Sequence, residues 1–241
     1  MNINEGENCG NSVQNNHIRD IVCMSIYFFF IIFPPTVEVI ALYIFNFTKD
    51  QSSIMTMIYL PPIVAVMLSY GKEFLKSFKY FKKRFVIRIG TIILSMLLTL
   101  FITSILVMSF ELQTPENEKA LIESYGNADL LHTVVVIAFL VPLVEEVIFR
   151  KILITSLSAA LKKKFGKGDE KKESLIRKVT VIFSLGAFIF IHVNKVEDIL
   201  IYFPTSVTIT ILYIKSKDNL SYSWSMHMLN NIVAILFSFK D

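Results

Sequence analysis

The chain has 241 residues, of which 54% are hydrophobic and 18% are charged, and its mean hydropathy is +0.57. A soluble domain usually has about 45–50% apolar and about 25% charged residues. The apolar residues fall in long runs separated by short charged segments, which is typical of a membrane protein and argues against a soluble one. The net charge of +4 comes from basic residues beside these runs, so we expect contact with the lipid bilayer and no nucleic-acid partner.

Apolar runs in chain order predict an all-α fold, a polytopic transmembrane bundle of about seven helices, with eight as the alternative count. The runs cover about 20–46, 53–70, 85–110, 130–161, 178–193, 198–214 and 219–239. Crossing a hydrocarbon core takes roughly 20 helical residues, so the second, fifth and sixth runs are short for a full span. Paired prolines at 34–35 and 61–62 predict kinks or breaks. Residues 1–19 form a polar tail without a cleavage-site pattern, and 20–241 is expected to be one transmembrane domain.

The charged segments between the runs set the expected orientation. Segments 71–88 and 162–178 are strongly basic, whereas 111–129 carries five acidic residues and one lysine. Basic loops are retained in the cytoplasm. We therefore expect a multi-pass protein of the cell membrane with its N-terminus in the cytoplasm.

Ionisable side chains inside an apolar run indicate function, since each costs a few kcal/mol or more in a membrane interior. Glu145 and Glu146 lie in the fourth run, where apolar residues continue on both sides. Glu146 and Arg150 stand one helical turn apart and can form an ion pair. Glu145 points about 100° away, which makes it the freer carboxylate and a candidate general base. The alternative is that both acids only join helices through hydrogen bonds.

Two later runs carry polar residues at a comparable depth. His192 follows Phe188 by one turn in the fifth run and lies about 22 Å along that helix, close to the level of Glu145. His227 and Asn231 lie one turn apart on one face of the seventh run. Such a face can donate two hydrogen bonds to one oxygen, as an oxyanion hole requires. A histidine on an apolar helix can also be a structural residue, and this alternative stays open.

Three motifs in order, each inside an apolar run, carry a resemblance to a known family. They are Glu-Glu-x-x-x-Arg at 145–150, Phe-x-x-x-His at 188–192 and His-x-x-x-Asn at 227–231. In this order they resemble the CAAX-protease and bacteriocin-processing family, also called the Abi family, which includes the type II CAAX prenyl endopeptidases. The resemblance covers about 130–235, which we interpret as the protease-like core.

The resemblance implies an intramembrane endopeptidase, an all-helical membrane enzyme with a cavity open to the cytoplasm. The matching positions supply a catalytic set of six residues: Glu145, Glu146, Arg150, His192, His227 and Asn231. The first glutamate resembles the base that activates water, and the first histidine is similar to the one that helps to bind this water. The histidine and asparagine of the third motif resemble oxyanion donors, and the second glutamate with the arginine resembles a supporting pair.

A metal is the open question about cofactors, because the family is classed with the metalloproteases. Glu145 with two histidines could in principle bind a divalent metal such as zinc. The usual zinc-helix signature, His-Glu-x-x-His, is absent from the sequence. We therefore expect a hydrolase that activates water through glutamate, with no cofactor firmly implied.

The expected substrate is a peptide or a membrane-anchored protein. The Lys-, Ile- and Asn-rich composition indicates an AT-rich bacterial genome, and in bacteria the resemblance implies peptide maturation, bacteriocin self-immunity or regulation. One alternative is a non-catalytic immunity or signalling partner of the same fold. Another is a small ion- or proton-coupled transporter, which would need a polar path to both membrane faces.

Overall fold

The computed structural model describes residues 4–33, 51–116, 119 and 134–238. Within these ranges the chain is all-helical, as predicted, and has no strand. The seven helices are α1 (Asn4–Ile32), α2 (Gln51–Lys82), α3 (Phe85–Phe110), α4 (134–166), α5 (Glu170–Phe190), α6 (Asp198–Lys215) and α7 (Leu220–Ser238). Among the described residues, α3 and α6 are long and apolar enough to cross a membrane by length and composition. That the chain crosses the membrane about seven times stays a prediction.

The helices of the N-terminal half extend beyond the predicted apolar runs. α1 begins at Asn4 and so includes most of the predicted polar tail. α2 continues to Lys82, so much of the predicted basic loop 71–88 is helical. The prolines at 61–62 lie inside α2 without the predicted break, since a helix packed among neighbours tolerates missing backbone donors. The other predicted break, at 34–35, lies outside the described residues.

The second basic segment, 162–178, is also mostly helical rather than a long loop. Only 167–169 separates α4 from α5. Positive φ angles at Lys167 (46°) and Gly168 (82°) turn the chain after α4, as left-handed residues do at helix ends. The Asp169 carboxylate then accepts hydrogen bonds from two backbone N–H groups in the first turn of α5, at 3.0 and 3.1 Å. This N-cap gives α5 a sharp beginning.

α4 is the central helix, and it alternates between π-helical and α-helical turns. Its π-helical segments are Val134–Leu140, Glu146–Ser156 and Lys162–Gly166, and the α-helical segments are Val141–Glu145 and Leu157–Leu161. Every residue from 141 to 150 is buried. π-Helical turns are rare and are found frequently at functional sites. Among the described residues, this buried stretch is therefore also the part that carries the first predicted motif.

Side chains of α5 and α7 donate hydrogen bonds to backbone carbonyl groups of α4. A π-helical turn disturbs the regular pairing of the backbone, and a buried carbonyl group without a donor is costly. α5 and α7 are thereby fixed to α4 by polar contacts in addition to apolar packing. The pairs are Asn231 with Ile137, Trp224 with Phe139, Ser184 with Phe149 and Arg177 with Ile154, at 3.0, 2.9, 2.5 and 3.1 Å.

α3 packs against α6 at the edge of the bundle, and most of its surface is exposed. Its buried residues are Ile92, Met96 and Thr99, and the Thr99 hydroxyl lies 2.9 Å from that of Thr208 on α6. An apolar face of this size fits contact with lipid, as expected for a membrane span. Its large exposed side chains include Leu94, Leu97, Leu98 and Phe101.

An ion-pair network joins α1, α2 and α4. Glu73 of α2 accepts a hydrogen bond from Arg19 at 3.1 Å and pairs with Lys151 of α4 at 2.9 Å. Arg19 also lies over the ring of Tyr70, whose hydroxyl donates to Asp20. Burial disfavours the charged form of Glu73, but the hydrogen bonds and charges of Lys151 and Arg19 outweigh it and hold its pKa below the ordinary value. The network fixes the N-terminal helices to α4.

Glu73→Gln should lower the free energy of unfolding by about 1 kcal/mol at pH 7, because it removes the charge from two partly exposed ion pairs. For a chain of this size the fall in Tm is roughly 2–4 °C, measured by thermal unfolding in detergent. Folding lowers the pKa of Glu73. The stabilisation that its carboxylate gives to the folded state is therefore fully present above the unfolded-state pKa. It is lost as the pH falls through the folded-state pKa, so the two proteins should become equally stable in acid.

The matched control is Glu111→Gln, which neutralises an exposed carboxylate at the end of α3. Surface substitutions of this kind usually change stability by less than about 0.5 kcal/mol. An equal loss of stability in both variants, or a Glu73→Gln effect that persists in acid, would contradict the role of the network.

Candidate active site

Three helices bring five of the six predicted site residues into one cluster. It is almost closed to solvent, with His192 the most exposed side chain at 17%. The sixth predicted residue, Asn231, is hydrogen bonded to the backbone of α4 instead. The cluster consists of Glu145, Glu146 and Arg150 from α4, His192 from the turn after α5, and His227 from α7.

Glu146 and Arg150 form the predicted ion pair, with Oε2 and Nε 3.6 Å apart, and both side chains are fully buried. The other oxygen of Glu146, Oε1, lies 3.0 Å from Nδ1 of His227. A carboxylate can only accept, so this nitrogen of His227 is the one that donates. Glu146 is therefore held on two sides and is an anchored group. The nitrogens of Arg150 have no hydrogen-bond partner among the described residues.

Glu145 lies between the two histidines. Its Oε1 is 3.7 Å from Nε2 of His192, and its Oε2 is 3.5 Å from Nε2 of His227. Both distances exceed the usual 2.7–3.2 Å of an N–H···O hydrogen bond. Glu145 is thus the less firmly held of the two carboxylates, in agreement with the prediction from helical geometry.

His192 lies just beyond α5 rather than within it, which corrects the prediction that this helix includes it. α5 ends at Phe190, and the backbone N–H of His192 donates to the carbonyl oxygen of Ile189 at 2.9 Å. The ring nitrogen Nδ1 donates to the carbonyl oxygen of Phe188 at 2.7 Å, since a carbonyl group can only accept. In a neutral ring this leaves Nε2 as an acceptor that faces Glu145.

The ring of Phe188 supports the cluster from its apolar side. Its centroid lies 4.4 Å from that of His192 and 5.7 Å from that of His227. The guanidinium carbon of Arg150 lies 4.6 Å from the same centroid, within the range of a cation–π contact. The first residue of the second motif therefore has a packing role that fixes the orientation of three polar side chains.

Asn231 was predicted to share a catalytic face with His227, and the structure gives its amide a different contact. Its Nδ2 donates to the carbonyl oxygen of Ile137, in the first π-helical segment of α4, at 3.0 Å. An amide nitrogen has two N–H groups, so one remains for a second acceptor. The role of Asn231 as an oxyanion donor stays a prediction.

Residues 127–233 match the family model described as Rce1-like type II CAAX prenyl endopeptidase. The match contains all three motifs and confirms the resemblance drawn from them, although it covers less than half of the chain. The matched region is thus similar to a family of membrane-embedded proteases. No curated protein and no solved structure matches the chain.

The hydroxyl group of Tyr27 lies beside this CAAX-endopeptidase-like region and was not among the predicted site residues. Tyr27 of α1 is 1% exposed, and its hydroxyl has no hydrogen-bond partner among the described residues. Its ring meets that of Phe149, next to Arg150 in the chain, with centroids 5.9 Å apart. The only signal in the sequence is a single polar atom within the run Ile-Tyr-Phe-Phe-Phe.

A metal ion in this cluster would need a suitable set of ligands. Zinc takes nitrogen and oxygen ligands at about 2.0–2.2 Å in a tetrahedral arrangement. Within the described residues, no group of three or more His, Cys, Asp or Glu is arranged to hold a metal ion. No step proposed below passes through a metal ion.

Arg150→Met should lower the free energy of unfolding by about 3–5 kcal/mol, because it leaves Glu146 as a buried charge without its partner. Adding Glu146→Gln should recover much of this loss, since the double variant buries no net charge. The measurement is the unfolding midpoint of each purified protein in detergent.

Lys151→Met serves as the control, because it removes the neighbouring cation at a partly exposed ion pair with Glu73. Its expected cost is about 1 kcal/mol or less. If Arg150→Met is no more harmful than Lys151→Met, or if the double variant is no more stable than Arg150→Met, the buried pair does not have this role.

Proposed function

We propose that the chain is an intramembrane endopeptidase that hydrolyses a peptide bond in a membrane-associated protein or peptide, with Glu145 as general base. The observation that carries the proposal is the position of the Glu145 carboxylate, 3.7 Å from Nε2 of His192 and 3.5 Å from Nε2 of His227. A carboxylate beside two ring nitrogens and without a close ion pair is suited to accept a proton from water. The match of 127–233 to a protease family supports this class of reaction.

His192 orients the attacking water in this proposal. Two groups 3.7 Å apart are too distant for a direct hydrogen bond, but one water molecule beside them can hydrogen bond to both. Nε2 of a neutral His192 accepts one hydrogen of that water, and Glu145 accepts the other. The lone pairs of the water oxygen are then directed toward the substrate carbonyl carbon.

Hydrolysis then follows with all protons accounted for. Glu145 takes a proton as the water oxygen bonds to the carbonyl carbon, and the carbonyl oxygen becomes an oxyanion. His227 donates to this oxyanion from Nε2 when both ring nitrogens carry a proton, while Nδ1 stays hydrogen bonded to the carboxylate of Glu146. Asn231 supplies a second N–H. The C–N bond breaks as Glu145 returns the proton to the leaving amine, which gives a carboxylic acid and an amine.

The cellular setting is part of the proposal. We place the protein in a bacterial cell membrane as a multi-pass protein with the basic segments 71–88 and 162–178 in the cytoplasm. Peptide maturation or bacteriocin self-immunity is the corresponding process. The apolar exposed face of α3 supports the membrane location.

Glu145→Gln should lower kcat by about 10²–10⁴-fold while Tm and KM change little, because it removes the proton acceptor and keeps the shape. The assay uses purified protein in nanodiscs with a mixed peptide library and a farnesylated CAAX-type peptide. Cleavage by the wild type should persist in the presence of a zinc chelator.

Glu73→Gln is the matched control, since it neutralises a glutamate outside the cluster and should retain kcat. If the chelator abolishes cleavage, the reaction depends on a metal ion, and the proposed activation of water by glutamate alone is wrong. Absence of cleavage by the wild type, together with an unchanged cellular phenotype of Glu145→Gln, would favour the non-catalytic immunity or signalling partner.

Asn231→Ala should lower kcat by about 10²–10³-fold with little change in KM, if its free N–H group stabilises the oxyanion. The control is Trp224→Phe, because Trp224 donates to the neighbouring carbonyl oxygen of Phe139 in the same π-helical segment. Both substitutions remove a hydrogen bond to the backbone of α4, so a purely structural role predicts a loss of stability in both variants. If both variants lose stability equally and keep kcat, Asn231 is a structural residue.

A further inference from the structure

The hydroxyl group of Tyr27 is a buried donor without an assigned task. Tyrosine hydroxyls usually find a partner when they are buried. Tyr70, on the neighbouring helix, follows this rule, since its hydroxyl donates to Asp20. The Tyr27 hydroxyl has no such partner among the described residues, although its side chain is 1% exposed.

The packing of α1 places Tyr27 beside α4. Arg19 contacts Glu73, and the Cys23 thiol lies 3.7 Å from the carbonyl oxygen of Ala65, so α1 runs antiparallel to α2. Tyr27 lies one turn beyond Cys23. Its ring is fixed by edge-on contacts with Phe28 at 5.3 Å and with Phe149 of α4 at 5.9 Å. Two contacts of this kind hold the ring of Tyr27 against α4.

The partner of Tyr27 lies in the part of α4 that its ring contacts. Phe149, against which this ring packs, stands four residues after Glu145, and Glu145 and Arg150 are the charged groups of α4 that act on the Tyr27 hydroxyl. Arg150 has donors only and cannot accept a hydrogen bond. Glu145 is the one carboxylate in this set, and a carboxylate is the stronger acceptor for an O–H group.

We propose that Tyr27 is a positioning residue of the active site, whose hydroxyl is hydrogen bonded to the Glu145 carboxylate through one water molecule. This inference rests on the proposed function. The hydrogen bond holds the carboxylate in the orientation in which it meets the attacking water beside His192. Tyr27 lies outside the matched segment 127–233, so the N-terminal helices contribute to the chemistry.

Tyr27→Phe tests this role, because it removes one oxygen atom and keeps the ring. We expect kcat to fall about 10- to 100-fold, the range of a hydrogen bond to a charged group, while KM stays the same. Tm should stay the same or rise, since no hydrogen bond within the described fold is lost. A wild-type kcat in Tyr27→Phe, in an assay where Glu145→Gln is inactive, would overturn this role and leave the endopeptidase proposal intact.

Tyr70→Phe is the matched control from the same pair of helices. It should lower Tm, because Asp20 loses its donor, and it should retain kcat. If Tyr27→Phe behaves like Tyr70→Phe, with a lower Tm and a retained kcat, the Tyr27 hydroxyl is a structural group.

An infrared measurement tests the same contact without an enzymatic assay. The spectrum of the wild type minus that of Glu145→Gln isolates the carboxylate bands of Glu145 at a single pH. The same difference recorded in the Tyr27→Phe background should show these bands displaced, since carboxylate stretching responds to hydrogen bonding. Identical bands would overturn the inference whether or not the wild type cleaves any peptide.

Discussion

Glu146 and Arg150 bury two opposite charges at the centre of α4, where neither side chain is exposed to solvent. Each would be strongly unfavourable there without the other. Their pairing leaves one oxygen of Glu146 for Nδ1 of His227, and this contact sets the orientation of the imidazole ring. The other nitrogen of the ring then faces Glu145. The geometry around the proposed base therefore depends on an ion pair that does not itself react.

The π-helical turns of α4 have a second consequence for the site. Their carbonyl groups accept hydrogen bonds from Ser184 of α5 and from Trp224 and Asn231 of α7. Apolar packing is non-directional and tolerates sliding of one helix along another, whereas these bonds fix both position and rotation. These bonds can therefore maintain the distances from Glu145 to the two histidines.

Local spacing explains which parts of the site could be predicted. The Glu146–Arg150 pair depends on two positions in one helix, and it forms even though the turn is wider than an α-helical one. Hydrophobic runs also predicted the all-helical fold. The contact of Asn231 with a backbone carbonyl could not be predicted, because apolar periodicity does not distinguish π-helical turns. The end of α5 before His192 could not be predicted either. The run Phe188–Ile191 is apolar, and such a run does not show where a helix ends.

The contacts of Glu73 with Lys151 and of Tyr27 with Phe149 join residues that are far apart in sequence, and neither leaves a local pattern. Lys151 directly follows Arg150, so two adjacent cations of α4 point to different partners. Arg150 pairs with Glu146 in the interior, and Lys151 pairs with α2. The same stretch of α4 thus connects the proposed catalytic cluster to the helices that the family match leaves out. A shift of α1 and α2 relative to α4 would consequently reach Glu145 through Tyr27, even though every residue of the three motifs lies elsewhere.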